Sequence, residues 1–187
     1  MKKLISVLII MLLALFTVGC IEKVDNKEVT IDENQVESND VQEQVTDNTK
    51  FVSFKGEDME GNEVTEKIFS ENKLTMINIW GTTCPPCINE MPYIEEINNE
   101  MKDSGFELIG VVAGGKASKI DAEDIFNKLD LHYRNLLLDD KYLMALKVQY
   151  VPTTFFVNSE GEILGEAHIG AISKEEYLEI INGYLEK

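Results

Sequence analysis

Hydrophobic and polar residues divide the chain into three parts. A run of fifteen mostly apolar residues, Leu4 to Val18, follows Lys2 and Lys3. Residues 21–50 contain isolated valines and isoleucines that show no sustained period. From residue 51 onward, apolar runs typical of buried strands alternate with segments of helical period. This last part is therefore predicted to form the folded domain.

Residues 51–187 are predicted to be an α/β domain. The pattern predicts a strand that starts at Phe51, further strands at 74–80, 106–113, 135–138, 153–157 and 162–167, and helices at 85–102, 122–129, 141–147 and 174–185. Ser173, with Glu176 three residues later, has the capping-box pattern that starts a helix. Strands that alternate with helices and end in a hairpin and a helix predict a mixed central sheet flanked by helices.

The charge of the chain excludes two kinds of partner. The 187 residues contain 17 Lys and Arg against 34 Asp and Glu, which gives a net charge of −17 at pH 7. Nucleic-acid binding requires a basic surface, and electrostatic docking on anionic lipid requires clustered basic residues. We therefore expect no nucleic-acid partner and no electrostatic attachment to a membrane.

Residues 1–20 are predicted to be an export signal. The apolar run has fifteen residues, whereas an untilted membrane span needs about 20. It ends in Thr17-Val18-Gly19-Cys20, which resembles the lipobox of bacterial lipoproteins, although that pattern usually has Leu in place of Thr17. The resemblance implies that Cys20 carries a lipid and becomes the new N-terminus. An uncleaved signal anchor is the alternative, and both interpretations place the rest of the chain outside the cytoplasmic membrane.

Residues 21–50 are predicted to be a disordered acidic tether. The segment has nine acidic residues against three lysines and contains no aromatic residue, no Gly and no Pro. Such a composition buries too little apolar area to offset the entropy cost of ordering the chain. A specific acidic docking arm is the alternative, but a solvated spacer is the favoured interpretation.

The candidate chemistry lies at Cys84-Pro85-Pro86-Cys87, directly after a strand and at the start of a helix. Free backbone N–H groups and the helix dipole at that position stabilise a thiolate, so the pKa of Cys84 should fall below the usual value of about 8.5. Cys87 follows one turn later, close enough to form a disulfide. We therefore predict that Cys84 attacks a substrate disulfide and that Cys87 resolves the mixed disulfide.

Two other uses of this cysteine pair are weaker. A zinc site needs two further ligands, and the sequence has neither a second C-x-x-C nor a pair of neighbouring histidines. A purely structural disulfide would be unusual in so tight a loop at the start of a helix. No metal site is therefore predicted.

Four segments resemble the thioredoxin superfamily and occur in the order that this family has. They are Trp80 to Cys87, Ile88 to Pro92 with the proline inside the active-site helix, Val151 to Phe155 with the cis-proline, and Gly170 to Lys174 before the last helix. The resemblance implies a thioredoxin-like fold over residues 51–187. It also implies that Trp80, Val151 and Pro152 belong to the substrate-binding site, with the backbone of Val151 beside Cys84.

Within this superfamily the chain resembles the TlpA/ResA type of membrane-tethered thiol-disulfide reductases. That type adds an N-terminal strand extension and a strand-helix unit, which is expected here between Phe106 and Leu138. Glu90 matches a glutamate near the dithiol of ResA-like proteins, which implies a catalytic role as a general base; a solvated helix carboxylate is the alternative. Cytoplasmic thioredoxins have a buried Asp at the position of Asn78, so proton handling would fall to Glu90.

The resemblance implies an extracytoplasmic disulfide reductase on the bacterial membrane that needs no cofactor beyond its redox-active Cys84–Cys87 disulfide. The expected substrates are oxidised exported proteins such as apocytochrome c, and the expected electron donor is a membrane protein similar to CcdA or DsbD. A disulfide-forming oxidase or isomerase is an alternative, because Pro85-Pro86 does not determine the redox poise. A Cu(I)-binding module is a less favoured alternative. Copper chaperones of this fold typically have C-x-x-x-C and a distal His, whereas the cysteine spacing here is one residue shorter.

Overall fold

The computed structural model describes residues 49–186. The strands are β1 (Lys55–Asp58), β2 (Glu63–Thr65), β3 (Leu74–Trp80), β4 (Phe106–Val112), β5 (Arg134–Leu137), β6 (Thr153–Asn158) and β7 (His168–Ile169). The α-helices are α1 (Pro85–Met101), α2 (Lys119–Leu129), α3 (Asp140–Ala145) and α4 (Lys174–Leu185), and 3-10 segments span Glu66–Glu71, Lys102–Ser104 and Gly115–Ser118. The predicted signal, Cys20 and most of the tether lie outside the described residues.

The strands form one mixed sheet in the order β2-β1-β5-β4-β3-β6-β7. The central strand β3 pairs in parallel with β4 and antiparallel with β6. All of its residues are buried, because alternate side chains of a strand point to opposite faces and both faces are covered. Met76 and Trp80 pack in one apolar cluster with α1, α2 and α4. Ile77 and Ile79 pack in a second cluster with the segment before β1, the first 3-10 segment and α3.

The predicted fold class is confirmed: the sheet is mixed, and helices flank it. The N-terminal extension is the hairpin of β1 and β2, which joins the sheet through antiparallel pairing of β1 with β5. The inserted unit is α2 with β5, and β5 pairs in parallel with β4. Ser173 and Glu176 form the predicted capping box at the start of α4. Within the described part of the chain, no helix is long and apolar enough to cross a membrane.

Two strand predictions were wrong. Phe51 to Phe54 form no strand: Phe51 and Phe54, three residues apart, both pack against Phe69, whereas residues three apart on a strand point to opposite faces. The predicted strand at 162–167 has only isolated bridges, at Glu162 and Ile163. Gly165, with φ at +72°, interrupts the extended backbone there, so the last strand forms later, as β7.

The inserted unit supports the end of β3. Asn135, on β5, accepts a hydrogen bond from Trp80 Nε1 at 2.9 Å. Gly110, on β4, leaves the space that the Asn135 side chain occupies, since a Cβ at residue 110 would lie 2.2 Å from Asn135 Oδ1. Trp80 also stacks on Phe126 of α2, with ring centroids 5.9 Å apart. The residue that leads into the dithiol segment is therefore held from two elements of the inserted unit.

Candidate active site

Cys84 and Cys87 form a disulfide at the start of α1, with their Cα atoms 5.3 Å apart. Cys84 is the N-cap, and its Sγ accepts a hydrogen bond from the Cys87 backbone N–H at 3.3 Å. Pro85 and Pro86 occupy the first helical positions, where a missing N–H leaves no bond unmade. Cys87 is fully buried, whereas Cys84 is partly exposed. A partner can therefore reach only the sulfur of Cys84.

The segment before β6 lies beside the exposed sulfur. The Val151–Pro152 peptide bond is cis, as the resemblance implied. The carbonyl oxygen of Val151 lies 3.6 Å from Cys84 Sγ. A disulfide sulfur carries no proton, so this contact is not a hydrogen bond in the oxidised form. After reduction, the Cys84 thiol has a proton to donate to that oxygen.

Trp80 was predicted to belong to the substrate-binding site, and the structure gives it a different position. Its side chain is fully buried below the dithiol segment. The indole N–H is already used in the hydrogen bond to Asn135. Trp80 therefore offers a substrate no surface and instead supports the backbone that leads to Cys84.

Glu90 lies one turn beyond Cys87 on α1 and is fully buried. The interpretation as a solvated helix carboxylate is therefore wrong. Asn78 donates a hydrogen bond from Nδ2 to Glu90 Oε1 at 2.8 Å, and the Tyr177 hydroxyl donates to Glu90 Oε2 at 3.2 Å. Burial raises the pKa of Glu90 above its ordinary value, and these two hydrogen bonds oppose that rise.

The sequence analysis named Asn78 but not its hydrogen bond to Glu90, and it missed Tyr177. Tyr177 lies on α4, and its hydroxyl is 3.1 Å from Thr154 Oγ1 on β6. Asn78 Nδ2 also donates to Thr154 Oγ1, at 3.2 Å. The spacing of Tyr177 and Ile181 on α4 indicates a buried face, but no local pattern connects that face to Glu90. Among residues 49–186, no group of three or more His, Cys, Asp or Glu is placed to hold a metal ion.

The fold and the dithiol together define the class of protein. The structure is similar to that of a putative thiol:disulfide interchange protein DsbE from Chlorobium tepidum, with a TM-score of 0.64 at 21% sequence identity. This similarity covers 73% of the present chain and 96% of the other. The domain therefore has a thioredoxin-like fold, with the C-x-x-C pair at the start of α1.

Sequence similarity establishes the family. Residues 44–177 match the Redoxin family, and the chain belongs to it. It is 32% identical over 136 residues to the thiol-disulfide oxidoreductase ResA of Halalkalibacterium halodurans. The aligned region covers 70% of this chain and 74% of that protein. It is 31% identical over 132 residues to ResA of Bacillus cereus, at 70% and 71% coverage. The chain is thus a thiol-disulfide oxidoreductase with a redox-active C-x-x-C pair.

Replacing Glu90 by Gln should change the pH dependence of stability. A carboxyl with a raised folded-state pKa binds more protons in the folded protein than in the unfolded chain. The free energy of unfolding therefore falls as the pH rises from about the ordinary value of 4.5 through the folded-state pKa. The Glu90→Gln protein should lack this fall in urea unfolding of the oxidised form. Glu160→Gln, in an exposed turn, is the control, and parallel curves for all three proteins would contradict the assignment.

Proposed function

We propose that this oxidoreductase works as a disulfide reductase on exported proteins at the outer face of a bacterial membrane. The observation that carries the direction of electron flow is the buried carboxylate of Glu90, one helical turn from Cys87. A nearby anion in a poorly solvated site disfavours a thiolate and raises the thiol pKa. Stabilisation of the reduced form makes a dithiol protein a strong oxidant, so its destabilisation favours a reductant.

The proposed reaction uses the two cysteines in sequence. The Cys84 thiolate attacks one sulfur of the substrate disulfide, and the substrate's other sulfur leaves as a thiolate. Glu90 accepts the proton of the Cys87 thiol. Cys87 then attacks Cys84 Sγ, which forms the Cys84–Cys87 disulfide and releases the substrate's second thiolate. The substrate gains two electrons, and a membrane electron donor similar to CcdA or DsbD must return them to the dithiol.

Exposed apolar side chains near the end of the sheet that leads to the dithiol support a protein as the substrate. Large hydrophobic residues that are at least 65% exposed in the described part are Ile120, Met144, Tyr150 and Ile169. Ile169 pairs with residue 153 at the start of β6, next to Tyr150 and at the end of the sheet where β3 ends. Ile120 and Met144 lie on the helices that follow β4 and β5, and both of those strands run parallel to β3. In the strand order, Ile120 and Met144 follow strands on the β4 side of β3, and Tyr150 and Ile169 lie on the β6 side. Tyr150 and Ile169 line one open pocket there, and adjacent exposed apolar residues are typical of polypeptide-binding surfaces.

The location is proposed from the first twenty residues. Lys2 and Lys3, the apolar run and Gly19-Cys20 support export and attachment through a lipid on Cys20. The acidic tether at 21–50 would then separate the domain from the bilayer. Cys20→Ala should abolish fatty-acid labelling of the chain in cells, while Cys84→Ser should retain it. Labelling that persists in Cys20→Ala would contradict the proposed anchor.

The reduction potential tests the proposed direction. The wild-type dithiol should equilibrate with a thiol buffer near the value of thioredoxin, about −270 mV, rather than near that of a strong oxidant, about −120 mV. Glu90→Gln should shift the potential toward oxidising values, because removal of the anion stabilises the reduced form. Glu160→Gln should leave it unchanged. A wild-type potential near that of the strong oxidant would favour the oxidase instead.

Trapping experiments test the order of the two cysteines. Cys87→Ser should accumulate a mixed disulfide with an oxidised protein such as apocytochrome c, because no resolving thiol is present. Cys84→Ser should form none, since the remaining active-site sulfur is buried. The chain with both substitutions retains Cys20 and shows how much trapping that cysteine contributes. Equal trapping through Cys84 and Cys87 on non-reducing gels would overturn the assigned roles.

A further inference from the structure

Four buried side chains from four elements form a closed ring of hydrogen bonds that includes Glu90, one helical turn beyond Cys87. Asn78 comes from β3, Glu90 from α1, Thr154 from β6 and Tyr177 from α4, and each is fully buried. The distances around the ring run from 2.8 Å, between Asn78 and Glu90, to 3.2 Å. The ring therefore connects the carboxyl beside the dithiol to the strand that begins directly after Pro152.

The donors of this ring are directed toward Glu90. Asn78 Nδ2 has two hydrogens and gives one to Glu90 Oε1 and the other to Thr154 Oγ1. Tyr177 has one hydroxyl hydrogen and gives it to Glu90 Oε2. The Thr154 hydroxyl must then donate to the Tyr177 oxygen, the contact in which either atom can be the donor. Both paths end on the carboxyl, so the ring supplies the two oxygens of Glu90 with one donor each, which is what the ionised form requires.

We propose that Tyr177 is a positioning residue for the dithiol chemistry: its hydroxyl orients Glu90, stabilises the charged carboxylate, and links it through Thr154 to the cis-proline strand. This inference rests on the proposed role of Glu90 as the proton acceptor. Thr154 lies two residues after Pro152 and three after Val151, whose carbonyl is beside Cys84. Glu90 is thereby hydrogen-bonded, through Tyr177 and Thr154, to the strand that directly follows the Val151–Pro152 segment.

The other titratable groups near Glu90 do not replace Tyr177. Tyr93, also on α1, has its pKa raised to about 12 by burial and by the charge of Glu90, and its hydroxyl donates to the carbonyl of Ile172. Tyr133, just before β5, is buried, and burial together with the charges of Glu95 and Glu90 raises its pKa. Burial and the charge of Glu90 raise the pKa of Tyr177, so Tyr177 remains a protonated donor.

The test compares Tyr177→Phe with Tyr184→Phe in the full chain. Tyr184 is on the same helix and donates to the carbonyl of Leu164, so it controls for loss of a hydroxyl from α4. The carboxyl carbon of Glu90 is titrated by NMR in the oxidised protein. Tyr177→Phe should raise the midpoint by about one pH unit, the size expected when a charged acceptor loses one hydrogen bond. Tyr184→Phe should leave it unchanged.

The pH profile of Cys84 alkylation in the reduced protein supplies the second measurement. Tyr177→Phe should move the profile to lower pH, because Glu90 then carries its charge over a smaller pH range. The same substitution should have no effect in a Glu90→Gln background, since the two residues act through one another. Thr154→Val removes the outer hydroxyl of the ring and should shift the Glu90 titration in the same direction. It supplies the decisive titration in case Tyr177→Phe does not fold.

Each outcome decides a different point. An unchanged Glu90 titration in both Tyr177→Phe and Thr154→Val would overturn the positioning role, even where Glu90→Gln alters alkylation. The Glu90 titration could instead shift while the alkylation profiles of wild type, Tyr177→Phe and Glu90→Gln superimpose. Tyr177 would then remain the residue that lowers the pKa of Glu90. That result would remove Glu90 from the dithiol chemistry, so the failure of the inference and the failure of the proposed function are distinguishable.

Discussion

The burial of one carboxyl group constrains the architecture around the dithiol. An ionised side chain without water needs hydrogen-bond donors, because burying an unpaired charge is strongly unfavourable. Glu90 receives those donors from β3, the element before α1, and from α4, in which Tyr177 is 87 residues further along the chain. The central position of β3 and the packing of α1 and α4 on one face bring them together. The fold thus supplies hydrogen-bond donors to Glu90 from elements other than its own helix.

Two opposing electrostatic influences meet at the cysteine pair. The start of α1 places backbone N–H groups at Cys84 and favours a thiolate, while the Glu90 carboxylate disfavours one. The first follows from the position of the dithiol in sequence and is common to C-x-x-C pairs at helix starts. The second depends on burial of Glu90, which distinguishes this site from a solvated helix surface. The balance between them governs how readily Cys84 forms a thiolate.

Local signals predicted the elements around the site well, and long-range contacts account for what they missed. The strand Leu74–Trp80 and the capping box at Ser173 were predicted with the observed bounds, because an apolar run and a cap are local features. The segment 51–54 has the composition of a strand, but its phenylalanines fill the core instead. The bonds from Glu90 to Asn78 and Tyr177 span 12 and 87 residues, and no sequence period encodes them.

The inserted unit has a consequence for the same site. Asn135 of β5 holds the indole of Trp80, and Phe126 of α2 stacks on it, so the last residue of β3 is fixed on the side away from β6. On the other side, β6 holds Thr154 against Asn78. The strand that leads to Cys84 is therefore held by side-chain contacts from both directions across the sheet, and the dithiol follows its end. Support of this kind fixes the position of Cys84 beside the Val151 carbonyl in the disulfide form, which is the geometry that a precise site requires of its surroundings.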